Sequence, residues 1–181
     1  MLSSEDKKYL FENLRDVKDF PKEGIIFKDI TTLIKNPKAM KILIDHLVHR
    51  YSKMDIDFVA GAESRGFLFG VPLAHALGVG FVPIRKPGKL PYTTVSEKYA
   101  LEYGFDEVQI HIDAFNGKSD AKVLFVDDLI ATGGTAEASI RLINSLKASC
   151  IKACFVINLA FLEGRQRVEK HTNFYAVLQV D

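Results

Sequence analysis

Two adjacent carboxylates, Asp127 and Asp128, are followed within a few residues by a loop of small and hydroxylated residues, Ala131-Thr132-Gly133-Gly134-Thr135. Just ahead of them, Val123-Leu124-Phe125-Val126 is an unbroken apolar run with no helical period. That is the pattern of a strand buried on both faces of a parallel sheet. Beyond the loop a segment opens at Ala136 with Ile140, Ile143 and Leu146 at helical spacing. Strand, acidic pair, small loop and helix start together describe an anion site. Backbone N–H groups and the helix dipole face the loop, glycines admit an oxyanion closely, and threonine hydroxyls donate further bonds. A Walker loop would end in Gly-Lys-Ser/Thr, and this one has no lysine. A dinucleotide fold would place its ribose-binding acid about 20 residues beyond the glycines, whereas these acids precede the loop. A diol and a phosphate bound at such short range belong to one small molecule. A ribose 5-phosphate fits, with its 2′- and 3′-hydroxyls on Asp127 and Asp128 and its phosphate in Ala131–Thr135. A solvated acidic pair capping a turn is the plainer alternative, and the attached loop argues against it.

The elements that must hold this site follow the chain. A helix is expected from Ser4 to about Val17, with Ser3 or Ser4 as cap and Leu10, Leu14 and Val17 on one face. Ile25–Ile30 reads as an edge strand or loop that packs Ile26 and Phe27 inward. Asn36-Pro37 starts a helix, cap then first-turn proline, and Met40, Leu43, Ile44, Leu47, Val48 and Tyr51 give it an apolar face. His46 and His49 fall on the polar side as solvated residues. Phe58–Gly61 is a core strand, Glu63–Gly66 the loop at its C-terminal end, and Phe67–Leu77 a helix despite Pro72. In open α/β sheets ligands sit beyond the C-terminal strand ends, so Arg65 points toward the region of Asp127. A guanidinium there suits paired phosphoryl oxygens, and a surface salt bridge is its simpler role. Gly80–Arg85 is a further strand, with Arg85 and Lys86 placing positive charge at its end. From Lys86 to Gly104 the pattern collapses into a polar, proline- and glycine-bearing stretch, the composition of a mobile lid or of disorder. Val108, Ile110 and Ile112 then alternate as a hairpin strand that could carry such a lid. Ile151–Leu159 is a buried strand, Gly164–Lys170 a short polar helix and Phe174–Val180 a closing edge strand. Alternating strands and helices indicate an α/β fold: an open, mainly parallel sheet flanked by helices.

The chain has 181 residues, enough for one domain with a sizeable core, and 48% of them are hydrophobic. With 24 basic and 23 acidic residues the net charge is +1, which argues against nucleic acid or membrane as a partner. No apolar run approaches a membrane span and the N-terminus lacks a signal-peptide pattern. Cys150 and Cys154 lack metal-ligand spacing and read as buried reduced thiols, with a disulfide as the second reading. A cytoplasmic location follows as the default.

FPKEGIIFKDIT, ESRGFLFG, RKPGKLP, LEYG and VDDLIATGGT resemble, in order and over nearly the whole chain, the adenine-specific branch of the type I phosphoribosyltransferases. VDDLIATGGT is common to many members of that family, and FPKEGIIFKDIT, RKPGKLP and LEYG belong to the adenine branch and its near relatives. The resemblance implies the fold of that family as a single domain over 1–181, with an N-terminal hood and base-recognition segment in 1–35 and a hairpin lid at 86–104. It implies a purine-salvage transferase that makes AMP and pyrophosphate from adenine and 5-phosphoribosyl 1-pyrophosphate. The expected cofactor is Mg²⁺, held mainly by substrate oxygens and water with no dedicated protein metal site, and the expected assembly is a homodimer. Site roles carry over by motif. Asp127 and Asp128 hold the ribose hydroxyls, and Ala131, Thr132, Gly133, Gly134 and Thr135 the 5′-phosphate. Ser64, Arg65, Arg85, Lys86 and Lys89 surround the pyrophosphate. Ile26 and Lys28 read adenine through the backbone, where family members often have Arg in place of Lys28, and Leu159 packs on the base. Glu102 and Tyr103 match the catalytic Glu-Tyr pair. Two other readings stay open: the same chemistry on another purine or a pyrimidine, and a non-catalytic ligand sensor. The sensor would be expected to carry a DNA-binding appendage or a strongly basic face, which this chain lacks.

Overall fold

The computed structural model describes residues 2–100 and 104–181. The chain divides into two compact units, Met1–Lys53 and Met54–Asp181.

The first unit opens with α1 (Ser4–Glu12), started by a capping box. The Asp6 amide donates to Ser3 Oγ at 3.0 Å and the Ser3 amide to Asp6 Oδ2 at 3.3 Å. The helix stops at Glu12, short of the Val17 expected from its spacing. Arg15–Lys18 instead forms β1, antiparallel to β2 (Ile26–Asp29), with Val17 opposite Phe27. Cross-strand pairing overrides a marginal helical period here. The Asn13 amide at the helix end donates to the Tyr9 carbonyl at 2.8 Å and satisfies one of its orphan acceptors. The expected inward packing of Ile26 and Phe27 holds only for Phe27, which is half-buried. Ile26 is exposed, and Lys28 and Ile30 are the buried residues. Lys28 is tolerated inside because its ammonium lies 2.7 Å from Asp16 and over the Phe11 ring. After α2 (Thr31–Ile34), α3 (Pro37–Tyr51) starts at the expected cap and buries Ala39, Leu43, Leu47 and Tyr51. On its other face His49 is exposed, while His46 is half-buried. Burial, and then the charge of Arg50, hold the His46 imidazole below its ordinary pKa.

The second unit is a five-stranded sheet in the order β4-β3-β7-β8-β9, every neighbouring pair parallel. Its strands are β3 (Phe58–Ala62), β4 (Gly80–Ile84), β7 (Lys122–Ile130), β8 (Ser149–Leu159) and β9 (Asn173–Val180). The helices are α4 (Phe67–Leu77), α5 (Gly134–Ser145) and α6 (Gly164–Glu169). Central β7 buries Val123, Leu124, Phe125 and Val126 completely, as its continuous apolar run requires. Much of the polar stretch after Lys86 is strand: β5 (Thr94–Ala100) pairs antiparallel with β6 (Phe105–His111). Its sequence gave little sign of this, because β5 alternates between half-buried and exposed residues and buries none fully. Val95, Val108 and Ile110 fix the hairpin to the same core that Val123, Phe125, Ile140 and Phe155 build.

Asn36 has a double role. Its Oδ1 accepts from the Lys38 and Ala39 amides at 3.0 and 3.1 Å, and its Nδ2 donates to Tyr9 and Asn13 side chains at 3.0 and 2.7 Å. Asn36→Ala is expected to destabilise the protein by about 2 kcal/mol, the upper end for loss of an N-cap. Urea denaturation should show a lower midpoint at an unchanged slope.

Candidate active site

A cavity of about 230 Å³ lies in the second unit. Parallel strands bring its parts together, because each chain segment that leaves a strand's C-terminal end emerges on the same side of the sheet. Glu63 and Arg65 follow β3, Lys86 follows β4, and Asp127–Ile130 form the end of β7, with the turn Ala131–Gly133 and the first residues of α5 next to them. Tyr99, from the β5–β6 hairpin, completes the lining.

The acidic pair sits in the wall of this cavity. Asp128 is 3% exposed and its Oδ2 lies 3.0 Å from Arg65 Nε. Asp127 Oδ1 accepts from the Asp128 amide at 2.9 Å. Burial, and then the charge of Asp128, push the Asp127 carboxyl well above the ordinary carboxylate range. Burial pushes Asp128 the same way, against the pull of Arg65. Gly66, at the start of α4, makes the arrangement sterically feasible. A Cβ there would lie 2.9 Å from Asp127 Oδ1 and 2.7 Å from the Ala62 carbonyl.

The loop after β7 is a built anion cradle. Gly133 is the N-cap of α5 at φ 81° and supplies no side-chain cap, so the first amides of that 12-residue helix lack the usual side-chain acceptor. The left-handed backbone demands glycine. So does the space, since a Cβ on Gly133 would come within 2.8 Å of Gly164 Cα at the start of α6. Gly164 in turn abuts the Ala131 carbonyl, and Arg167 Nη1 donates to the Thr132 carbonyl at 3.5 Å. Thus α6 backs the loop from behind.

The cations are spread unequally. Arg65 and Lys86 line the cavity; Ser64, Arg85 and Lys89 do not. Arg85 Nε donates to Glu63 at 2.8 Å and its Nη1 to the Lys89 carbonyl at 3.1 Å. Ser64 and Lys89 are exposed, and the Glu63–Ser64 peptide is cis. Lys86 Nζ contacts Asp106 and donates to Tyr99 Oη at 2.8 Å. Burial alone would lower the pKa of this ammonium, but Asp106 and Tyr99 outweigh it and hold it raised. Of the residues assigned to the base, Leu159 ends β8 in the second unit and is half-buried. Ile26 and Lys28 lie on β2 of the first unit, and Lys28 commits its side chain to Asp16. Glu102 and Tyr103, the catalytic pair of the sequence reading, lie outside the described residues.

Sequence reasoning missed Glu63, Tyr99, Asp106 and Gly164. Only the last carried a local signal, as a glycine at a helix start. The others acquire meaning through strand register and hairpin placement, which no motif spacing encodes.

The comparisons agree with this geometry. Residues 31–181 match the phosphoribosyl transferase domain family. A relative from Campylobacter hominis named adenine phosphoribosyltransferase is 58% identical over 179 residues, covering 99% of this chain and 98% of its own. One of the same name from Sulfurimonas denitrificans is 55% identical with the same coverage. Among solved structures, adenine phosphoribosyltransferase from Rhodothermus marinus superposes with a TM-score of 0.92 at 44% identity, covering 98% of this chain and 100% of that one. The Saccharomyces cerevisiae enzyme, complexed with an imino-altritol bisphosphate and adenine, gives 0.90 at 40% identity, covering 97% and 100%.

Asp127 carries a stability consequence whose sign is fixed. Its folded-state pKa is raised, so its full contribution to stability is present below the ordinary carboxylate pKa. That contribution is lost as pH rises through the folded value. Asp127→Asn removes the loss. The ligand-free variant is expected to be about 1 kcal/mol more stable than wild type at neutral pH, a usual gain on relieving a strained functional position. The gain should vanish in acid. Melting temperatures from pH 3 to 8 measure this, and a variant less stable at neutral pH would contradict it.

Proposed function

The chain belongs to the phosphoribosyl transferase family, and from that premise we propose that it transfers the phosphoribosyl group of 5-phosphoribosyl 1-pyrophosphate to adenine, yielding AMP and pyrophosphate in purine salvage. The observation that carries this reading is the single cavity that joins Asp127 and Asp128 to the Ala131–Thr135 loop. It offers acceptors for a pentose diol and amides for a phosphate within one cavity. Relatives named for the adenine reaction match the chain over 99% of its length, which favours adenine over other bases.

In this mechanism the bond from C1′ to pyrophosphate breaks as C1′ gains positive character. Adenine N9 forms the new bond to C1′, and its proton is lost. Arg65 and Lys86 stabilise the departing negative charge inside the cavity, with Arg85, Lys89 and Ser64 at its approach. Asp127 and Asp128 orient the ribose through its hydroxyls and set negative charge near the developing cation. Ile26 and Lys28 read the base through backbone groups of β2, a role open to Lys28 even though its ammonium is engaged by Asp16. Leu159 offers apolar packing for the purine. Glu102, assisted by Tyr103, manages the proton at the imidazole edge.

Mg²⁺ is the ion this family implies. Among the described residues no three His, Cys, Asp or Glu side chains gather into a metal cage. The cavity nevertheless offers two carboxylates as hard oxygen donors, which suits an ion held mostly by phosphoryl oxygens and water. An ion held in that way would supply charge neutralisation for the leaving pyrophosphate. A homodimer accords with Leu68 and Val71, exposed at 43% and 48% on one helix, α4. Two buried free cysteines accord with a reducing, cytoplasmic setting.

AMP formation from adenine, assayed with and without Mg²⁺ and against a panel of other bases, tests the reading directly. Turnover of another base in preference to adenine would replace it. Glu102→Gln is expected to lower kcat about a hundredfold, and turnover within a few-fold of wild type would remove its proton-handling role. The paired change Asp127→Asn with Asp128→Asn is expected to weaken 5-phosphoribosyl 1-pyrophosphate binding at least about tenfold, through loss of charge-assisted bonds. Titration calorimetry measures that affinity.

A further inference from the structure

Tyr99 stands outside every motif that marks the site, yet its hydroxyl is the point where the two halves of the cavity meet. It accepts from Thr135 Oγ1, in the anion loop, at 2.9 Å and from Lys86 Nζ at 2.8 Å. It donates to Asp106 Oδ2 at 2.8 Å. The direction of each bond is fixed by chemistry. An ammonium can only donate and a carboxylate only accept, so the phenolic proton goes to Asp106 and the Thr135 proton comes to Tyr99. The hydroxyl is thereby saturated. Backbone register explains the geometry, because Tyr99 and Asp106 are directly opposed in the β5–β6 hairpin and share a face. The ring is placed as firmly as the hydroxyl. A Cβ at Gly134 would lie 2.9 Å from Tyr99 Cδ2, and Lys86 Nζ lies 5.3 Å from the ring centroid.

We propose that Tyr99 is a positioning residue that couples the phosphate loop to the pyrophosphate-side cation. It holds Thr135 and Lys86 in one network across the cavity, with Asp106 as the fixed counter-charge. Lys86 is a flexible chain with three donors and no inherent direction. With Asp106 alone it is anchored at one point, and with the Tyr99 hydroxyl at two. The same hydroxyl fixes the rotamer of Thr135 beside the α5 amides. Both donors are thus ordered before a ligand arrives, which lowers the entropic cost of binding a molecule with a phosphoryl group at each end. The proposal rests on the functional reading above, because it assigns those two ends to one donor substrate.

The experiment is a double-mutant cycle on the affinity for 5-phosphoribosyl 1-pyrophosphate with Mg²⁺, measured by titration calorimetry on the full chain. Wild type, Tyr99→Phe, Lys86→Met and the double variant are compared, with AMP formation by wild type assayed in parallel. Phenylalanine keeps the ring against Gly134, so the fold is retained, and melting curves check this. Tyr99→Phe is expected to raise Kd about tenfold, the scale of one hydrogen bond to a charged group. In the Lys86→Met background it is expected to add no more than about twofold, because a residue that acts largely through another loses most of its effect when that other is gone. A merely structural role would give penalties that multiply, and that result, or a Tyr99→Phe affinity within twofold of wild type, overturns the proposal. If AMP is formed and the coupling is absent, the coupling fails and the functional reading stands. If the coupling is present and no AMP is formed, the reverse holds. A wild type that does not bind the donor overturns both.

Discussion

Two carboxylates side by side at the end of the central strand are the constraint from which the rest of the site follows. Placing two acids next to each other out of water is costly, and the cost shows as the upward push that burial gives both carboxyl groups, with the charge of Asp128 adding to it at Asp127. Three features make it tolerable. Arg65 stands against Asp128, the Asp128 amide caps Asp127, and glycine at position 66 lets the start of α4 approach without a Cβ in the way. A ligand that brings hydroxyl donors to both acids meets the electrostatic demand they leave, so the cost of the pair and its affinity for a diol have the same origin.

The anion loop is shaped by close approach rather than by charge. Gly133 and Gly164 lie so near each other that neither can carry a side chain. The left-handed turn at Gly133 leaves the first amides of α5 without a side-chain cap. The positive field at this end of the cavity is therefore mostly backbone, fixed in position, and independent of pH. The other end is built from side chains, and both cations that line it have acidic partners: Arg65 with Asp128, and Lys86 with Asp106. An anion that enters must compete with those partners. Positive charge is thus concentrated at the cavity in a chain whose net charge is only +1.

Legibility differed sharply along the chain. The buried run Val123–Val126, the acid pair and the small-residue loop were readable because their physics is local: strand, turn and helix start are adjacent in sequence. The cap at Asn36-Pro37 was readable for the same reason. The end of α1 was not, because Val17 fits a helical face as well as it fits a strand, and only pairing with Phe27 decides. Burial along β2 was not legible either, because Ile26 and Lys28 share a strand face and a buried lysine is improbable until Asp16 is seen beside it. The stretch after Lys86 reads as poor core, and so it is, yet Val108 and Ile110 on the partner strand carry it into a hairpin.

Sequence by itself determined the chemistry on offer: which residues can grip a diol, which backbone can cradle a phosphate, and the alternation of strands and helices that gathers them at one edge of a parallel sheet. Tertiary structure alone decided which cations face the cavity and which acid each of them meets, and it alone brought Tyr99 and Asp106 to Lys86 and Thr135. The physical reason is range. Propensity, capping and turn chemistry act over a few residues, whereas the partner of a charged side chain is set by strand register between segments far apart in the chain, which no local pattern records.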